Sequence, residues 1–248
     1  MSKPVGIISA LPDEARSLKQ AVNGQPHPIG GSVYHTGNWE SVPVVLTTAG
    51  IGKVNTALGA TMLFHHFDCA AVIFSGVAGG IDTGLGIGDV VIASEVMCYD
   101  YGAESADGFT VYTPGTAPMI EHPGDPVYRS KVAWVAKVVK AARGLALPCV
   151  RPEVTPQIVV GRILTADRFM NSEEGRDRLS REFGAHAVEM EGAALAQVAE
   201  HFGRDHLSIR AISDLAGSNS HEDFPNFLSK ASEISAQVVR CAVQTWGD

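Results

Sequence analysis

Basic charge is scarce in this chain. Nineteen lysines and arginines face 27 aspartates and glutamates, giving a formal net charge of −8 over 248 residues. No basic block interrupts that balance, which argues against a nucleic-acid surface. Long apolar runs are also missing, and without about 18 consecutive apolar residues no membrane span is expected. The opening stretch MSKPVGIISALPDEA reaches acid too soon for a secretory leader. Cysteine is sparse: Cys69, Cys98, Cys149 and Cys241 stand far apart with no C-x-x-C pair. Buried free thiols in a reducing cytoplasm are the expectation. The nine histidines form no ligand-spaced set; His65 and His66 are adjacent and point to different helix faces. No metal site is expected from them. Several motifs are absent. GLGIGD (Gly84–Asp89) has the wrong spacing for a dinucleotide fingerprint, and there is no Walker A loop, G-x-S-x-G elbow or H-E-x-x-H helix.

What the chain does have is apolar content, at 45%. That suffices for a full core, and a single domain spanning residues 1–248 is expected. Val- and Ile-rich runs alternate with helix-period segments. Strands are predicted at Val5–Ala10, Ala70–Gly76, around GDVVIASEVMCYD, around QIVVGRILTA, at HAVEM and at HLSIRAISD. Helices are predicted at Pro12–Ala21, Lys53–Phe67, Tyr128–Ala142, Ser172–Phe183, Glu191–Phe202 and Phe224–Trp246. A hairpin is expected with its turn near Asn38–Ser41. The alternation predicts a three-layer α/β/α sandwich around a largely parallel sheet. Tyr101–Asp125, rich in Gly, Pro and acid, is the longest irregular stretch and a candidate functional loop or subunit contact.

In such a sheet, ligands sit outside the carboxyl ends of the strands. Asp13 and Glu14 follow the first predicted strand. Gly50-Ile51-Gly52 follows VVLTTA, and the glycine run Gly76–Gly80 follows AAVIFS as an expected turn. Asp167-Arg168-Phe169-Met170, Glu189-Met190-Glu191 and Ser213-Asp214 end three more strands. Each item alone has an ordinary structural explanation. GVAGG suits a tight connection, Asp214 a helix cap, Glu191 a helix start, and Phe169 with Met170 a core. Their coincidence at one edge is what points to a site.

Those same residues carry a resemblance. ALPDE, GIGKV, GVAGG, VEMEG and RAISD, followed by SHEDFPNFL, resemble the 5′-methylthioadenosine/S-adenosylhomocysteine nucleosidases of the purine nucleoside phosphorylase superfamily. The likeness runs from Val5 to about Phe227 and is weakest over Tyr101–Gln157. It implies a nucleoside phosphorylase-like fold with a central mixed sheet, a homodimer, and no cofactor or metal. It also implies roles. Glu191 binds the ribose hydroxyls, and Met190 packs beneath the sugar. Asp214 is the acid at purine N7, and Glu14 holds and activates water. Phe169 stacks on adenine, whose edge the Met170 backbone reads. Ser213 and Arg210 support Asp214 and the water region. Ile51 and Phe224 line the 5′ side, with Gly79 and Val77 from the glycine run and Glu189 completing the wall. Val77 stands where many relatives place Ser, which implies altered water contacts.

The chemistry fits the residue types. Breaking an N-glycosidic bond leaves positive charge on the sugar and negative charge on the base, so carboxylates near the sugar and an acid near the base are wanted. A phosphorylase on this fold is the nearest alternative. It needs cationic groups for phosphate, and the places where related phosphorylases put arginine hold Glu14 and Phe74. A 6-amino-6-deoxyfutalosine hydrolase and a non-catalytic nucleoside-binding module remain open as well, since the 5′ substituent is not legible.

Overall fold

A computed structural model describes residues 2–117, 124–150 and 154–246. The chain begins with β1 (Val5–Ser9), α1 (Pro12–Val22), β2 (Gln25–Ile29), β3 (Ser32–Trp39), β4 (Val42–Thr48) and α2 (Lys53–His65). It continues through β5 (Ala71–Gly80), β6 (Val90–Cys98), β7 (Gly102–Ser105), β8 (Gly108–Val111), β9 (Val127–Arg129) and α3 (Val132–Ala142). It ends with β10 (Ile158–Thr165), α4 (Glu173–Phe183), β11 (Ala187–Glu189), α5 (Gly192–His201), β12 (Asp205–Asp214) and α6 (Ser220–Gln244).

The main sheet runs β11-β10-β6-β12-β5-β1-β4-β3-β2, with β9 paired to β6. Its centre explains the apolar sequence there: β1 is buried at all five positions, and β5 at nine of its ten. Strands covered on both faces need continuous apolar side chains. One face carries α1, α3 and α6 over a core that includes Leu18, Trp134 and Val238. The other carries α2 and α5, with Phe64, Leu195 and Ala199 packed on β5. Local signals fix some boundaries. The Ser172 hydroxyl caps α4 by accepting the Gly175 N–H at 3.1 Å, and Gly184 ends the helix at φ +56°.

The expected α/β/α architecture is present, and several details differ from the sequence reading. The sheet is mixed, as the resemblance implied, and not largely parallel as the alternation alone suggested: β1 is parallel to β4 and β5, while β12 meets β6 antiparallel and β11 meets β5 antiparallel. The glycine run is no turn. Gly76–Gly80 continues β5, and Gly79 and Gly80 pair with Val188 and Ala187 of β11. The stretch after Asp100 contains the β7–β8 hairpin, and its residues 118–123 lie outside the described ones. The segment from Tyr128 starts as strand β9, and α3 opens only at Val132. Helix α6 begins at Ser220, four residues before the expected Phe224. Strand β2 was not expected at all, because Pro26 and Pro28 mask it. Prolines suit it as the last strand of the sheet, where they discourage pairing by another chain. All four cysteines are free, and three are buried as expected, but Cys149 is exposed. Among the described residues no helix is long and apolar enough to cross a membrane.

His206 on β12 gives the fold a measurable acid sensitivity. It is buried, and its Nδ1 has no hydrogen-bond partner. Burial pushes its pKa down from 6.5 to about 4. Between those values the unfolded chain binds a proton that the folded chain refuses. Stability is therefore complete above about pH 6.5 and is lost as pH falls toward 4, by about 3 kcal/mol in all. His206→Leu should flatten that loss. Urea midpoints at pH 7 and pH 4.5 are the measurement, and an unchanged difference between them would remove His206 from the account.

Candidate active site

A cavity of about 340 Å³ opens where β1, β5, β10, β11 and β12 end. That size suits a small organic ligand. Glu14, Ile51, Val77, Gly79, Phe169, Met170, Glu189, Met190, Glu191, Ser213, Asp214 and Phe224 all line it. Of the residues given a role by the resemblance, Arg210 alone is off the wall; Asp13, Gly50, Gly52, Gly76, Gly80 and Asp167, noted at the strand ends, do not line the cavity either.

Glu14 is the third residue of α1, so its side chain can turn back to the unpaired N–H groups that precede the helix. Its Oε2 accepts from the N–H groups of Ala10 at 2.8 Å and Leu11 at 2.9 Å. Its Oε1 accepts from Val77 N–H at 2.9 Å. Burial pushes the Glu14 pKa up, while the nearby Arg210 and those three N–H groups pull it back.

The glycine at 76 has a steric reason. A Cβ there would collide with the Arg210 guanidinium and with the Glu14 carboxylate. The glycine run therefore lets charged groups approach a strand backbone closely.

Glu191 follows β11. Its Oε1 accepts the Gly52 N–H at 2.8 Å, and its Oε2 accepts from Arg210 at 3.2 Å. Burial is the largest influence on its pKa. Arg210 opposes that rise, Glu189 adds to it, and the result is pushed up to about 7. Glu189 is fully engaged: it accepts from the N–H groups of Glu191 and Gly192, from the Thr165 hydroxyl and from Arg210. It organises the turn between β11 and α5.

Arg210 is 1% exposed, with its guanidinium 4.0 Å from the centre of the Phe74 ring. It bonds Glu189 and Glu191 and lies close enough to Glu14 to affect its charge. The resemblance implied support for Asp214 and the water region; the carboxylates it bonds are those of Glu189 and Glu191, beside Glu14, and not that of Asp214. Arg210 bonds Glu189 and Glu191, with Glu14 near it; Ser213 holds Asp214, through a 2.9 Å hydrogen bond to Oδ2. Asp214 Oδ1 accepts the Ala216 N–H at 2.9 Å, and Ala216 adopts φ +51° in the tight exit from β12. A Cβ at Gly79 would come within 3.1 Å of that same Oδ1.

Phe169 is 42% exposed, with one ring face against His221 at 4.9 Å and Phe224 edge-on at 5.8 Å. Sequence reasoning missed His221, although it sits in the quoted SHEDFPNFL. It also gave no role to Leu11, Val188 and Arg168 of the cavity wall, although Arg168 was among the strand-end residues. Only Arg168 carried a signal, being next to Phe169.

The fold thus brings buried carboxylates and the partly exposed Phe169 ring together at its strand ends. The chain belongs to the phosphorylase superfamily, whose family model matches residues 4–244. Within that superfamily it is similar to the 5′-methylthioadenosine/S-adenosylhomocysteine nucleosidase of Mycobacterium bovis, 38% identical over 245 residues and 96% of each chain. The nucleosidase of Neisseria meningitidis, solved with methylthio-immucillin-A, superposes with a TM-score of 0.84 at 31% identity, covering 98% of this chain and 100% of that one. The futalosine hydrolase of Helicobacter pylori superposes with a TM-score of 0.83 at 28% identity, covering 98% and 97%.

Proposed function

We propose that this protein hydrolyses the N-glycosidic bond of 5′-substituted adenosines, such as 5′-methylthioadenosine, S-adenosylhomocysteine and 5′-deoxyadenosine. The products are adenine and the 5′-substituted ribose. The observation that carries this reading is the buried Glu14 carboxylate, fixed by three backbone N–H groups and facing the cavity shared with Glu191 and Asp214. Phe169 offers its open face to the purine, and Asp214 protonates N7 as the base leaves. Glu191, with Met190, holds the sugar while it gains positive charge, and carboxylate near that charge lowers the barrier. Glu14 takes the proton of the attacking water.

Phosphate fits this site poorly. Arg210 is already paired with Glu189 and Glu191 and lies near Glu14. Arg168 is in the wall, but its guanidinium lies over the Tyr99 ring, 5.3 Å from its centre. A dianion would meet Glu14 in a site with little water to screen it.

The test is to incubate the protein with methylthioadenosine, with and without phosphate. Free methylthioribose and adenine at a rate indifferent to phosphate are expected. A ribose 1-phosphate product would establish a phosphorylase, and binding without turnover would establish a non-catalytic module. The futalosine hydrolase likeness favours one second reading, cleavage of 6-amino-6-deoxyfutalosine. Comparing kcat/KM for the two nucleosides decides between them.

The working unit is a cytoplasmic homodimer. Helix α2 has apolar residues on its exposed side as well as its buried one, with Val54 at 71% and Leu58 at 64% exposure, and Ala57 on the same outward side. Met62 and Leu63 turn inward and serve the core. A second copy of this chain would cover the outward side and the neighbouring cavity of about 650 Å³ lined by Tyr101, Pro114 and Val198. Light scattering at micromolar concentration should give twice the chain mass of 26.2 kDa. A stable monomer mass would overturn the dimer.

A further inference from the structure

Lys53 is an odd first residue for a helix. The N-terminal end of a helix carries positive partial charge, so a lysine there is unfavourable unless something else requires it. A conflict between local preference and global fold is where a functional reason is sought.

The surroundings supply one. The Lys53 ammonium lies against Asp100 Oδ1, 3.7 Å from Asp167 Oδ2 and 3.7 Å from Cys98 Sγ. The Lys53 backbone N–H donates to Asp167 Oδ1 at 2.9 Å. Asp167 N–H donates in turn to Asp100 Oδ2 at 3.0 Å. Three loops, those after β4, β6 and β10, are thereby tied at one point. The residue before Lys53 is Gly52, whose N–H reaches Glu191 Oε1, and the residue before that is Ile51 of the cavity wall. Gly52 holds φ +96°, and a Cβ on it would press within 3.0 Å of Asp167. The loop is thus built to present one N–H to Glu191, with Lys53 as its peg.

We infer that Lys53 is a positioning residue that, through Asp100 and Asp167, fixes the Gly52 N–H on the Glu191 carboxylate. The inference rests on the assignment of Glu191 to the sugar. Glu191 also faces Arg210 from β12, Glu189 from β11 and Glu14 from α1. The Gly52 N–H is a group that lowers its pKa. Loosening the loop should therefore move the acid limb of the pH–rate profile to higher pH.

Lys53→Met is expected to lower kcat for methylthioadenosine by about 10- to 100-fold, the scale of a small misplacement at a reacting centre. Adenine affinity, measured by calorimetry, should stay within about threefold of wild type. Lys53→Arg, which keeps the charge, should recover most of the rate. Asp167→Asn keeps an acceptor for the backbone N–H but loses the ion pair, so it should show the same shift to a smaller degree. Hydrogen exchange at the Gly52 amide should accelerate in Lys53→Met. That readout needs no turnover, so it tests the peg even if wild-type protein cleaves no nucleoside. Wild-type kcat and an unmoved acid limb in Lys53→Met would overturn the inference. So would losses of rate, adenine affinity and thermal stability in parallel, which would make the cluster a support of the fold alone.

Discussion

Asp214→Asn should reduce adenine release from methylthioadenosine by about 10⁴-fold, the upper end of what a general acid contributes. The carboxyl is held so that one oxygen is committed. Oδ1 accepts the Ala216 N–H, leaving Oδ2, beside the Ser213 hydroxyl, as the oxygen that can carry a proton. Asparagine reproduces both contacts. Its carbonyl can face Ala216 N–H, and its amide nitrogen can donate to Ser213 in place of accepting. The fold should therefore survive, and the melting temperature is the check. What asparagine cannot do is protonate a departing purine. A nitrophenyl riboside, whose leaving group needs no proton, separates the two effects. Asp214→Asn should cleave it at close to the wild-type rate. A rate on methylthioadenosine within about tenfold of wild type would remove Asp214 from the acid role.

The strand-end carboxylates were legible because a doubly covered sheet leaves few places for acid. Glu14, Glu191 and Asp214 each stand at or just after the end of an apolar strand, and all three line one cavity. Ser213, the partner of Asp214, was named only through the resemblance, and the partners of the glutamates were not legible. Arg210 lies within a strand and gives no periodicity signal, and the three glutamates around it come from β11, the turn after it, and α1. The glycine run was misread for a related reason. Gly76–Gly80 has the composition of a turn, and only the approach of Arg210, Glu14 and Asp214 to its backbone explains why a strand carries so many glycines. Strand β2 was hidden by two prolines that a sheet edge tolerates. Lys53 was legible as part of GIGKV, yet its bonds run to Asp100 and Asp167, far off in sequence. Local propensity reports where the chain bends and what it buries. It does not report which distant loops an ion pair joins.

Glu14→Gln should lower kcat by about 10²–10⁴-fold while nucleoside binding survives, because a glutamine cannot take the proton of water. The substitution is not fully silent in structure. The amide oxygen can keep the N–H groups of Ala10 and Leu11, but the amide nitrogen then faces Val77 N–H, and that hydrogen bond is lost. A cost of about 1–3 kcal/mol in stability is the expected size of one unsatisfied buried donor. Affinity for adenine, measured separately, shows whether the cavity keeps its form. If affinity falls as far as kcat, Glu14 binds and does not activate. The pH profile gives a second reading. Wild-type activity should fall at low pH as Glu14 and Glu191 take up protons, both having pKa values raised by burial. Glu14 is one of the groups that raise Glu191, so removing its charge should move the remaining acid limb to lower pH. This is opposite in sign to the shift expected for Lys53→Met. Phosphate closes the argument. If Glu14 merely occupied a phosphate site, neutralising it would relieve repulsion, and added phosphate would speed adenine release from Glu14→Gln. If water is the nucleophile, phosphate changes nothing, and the sugar product of both proteins is free methylthioribose. A ribose 1-phosphate derivative from the wild-type protein would sink the hydrolase outright.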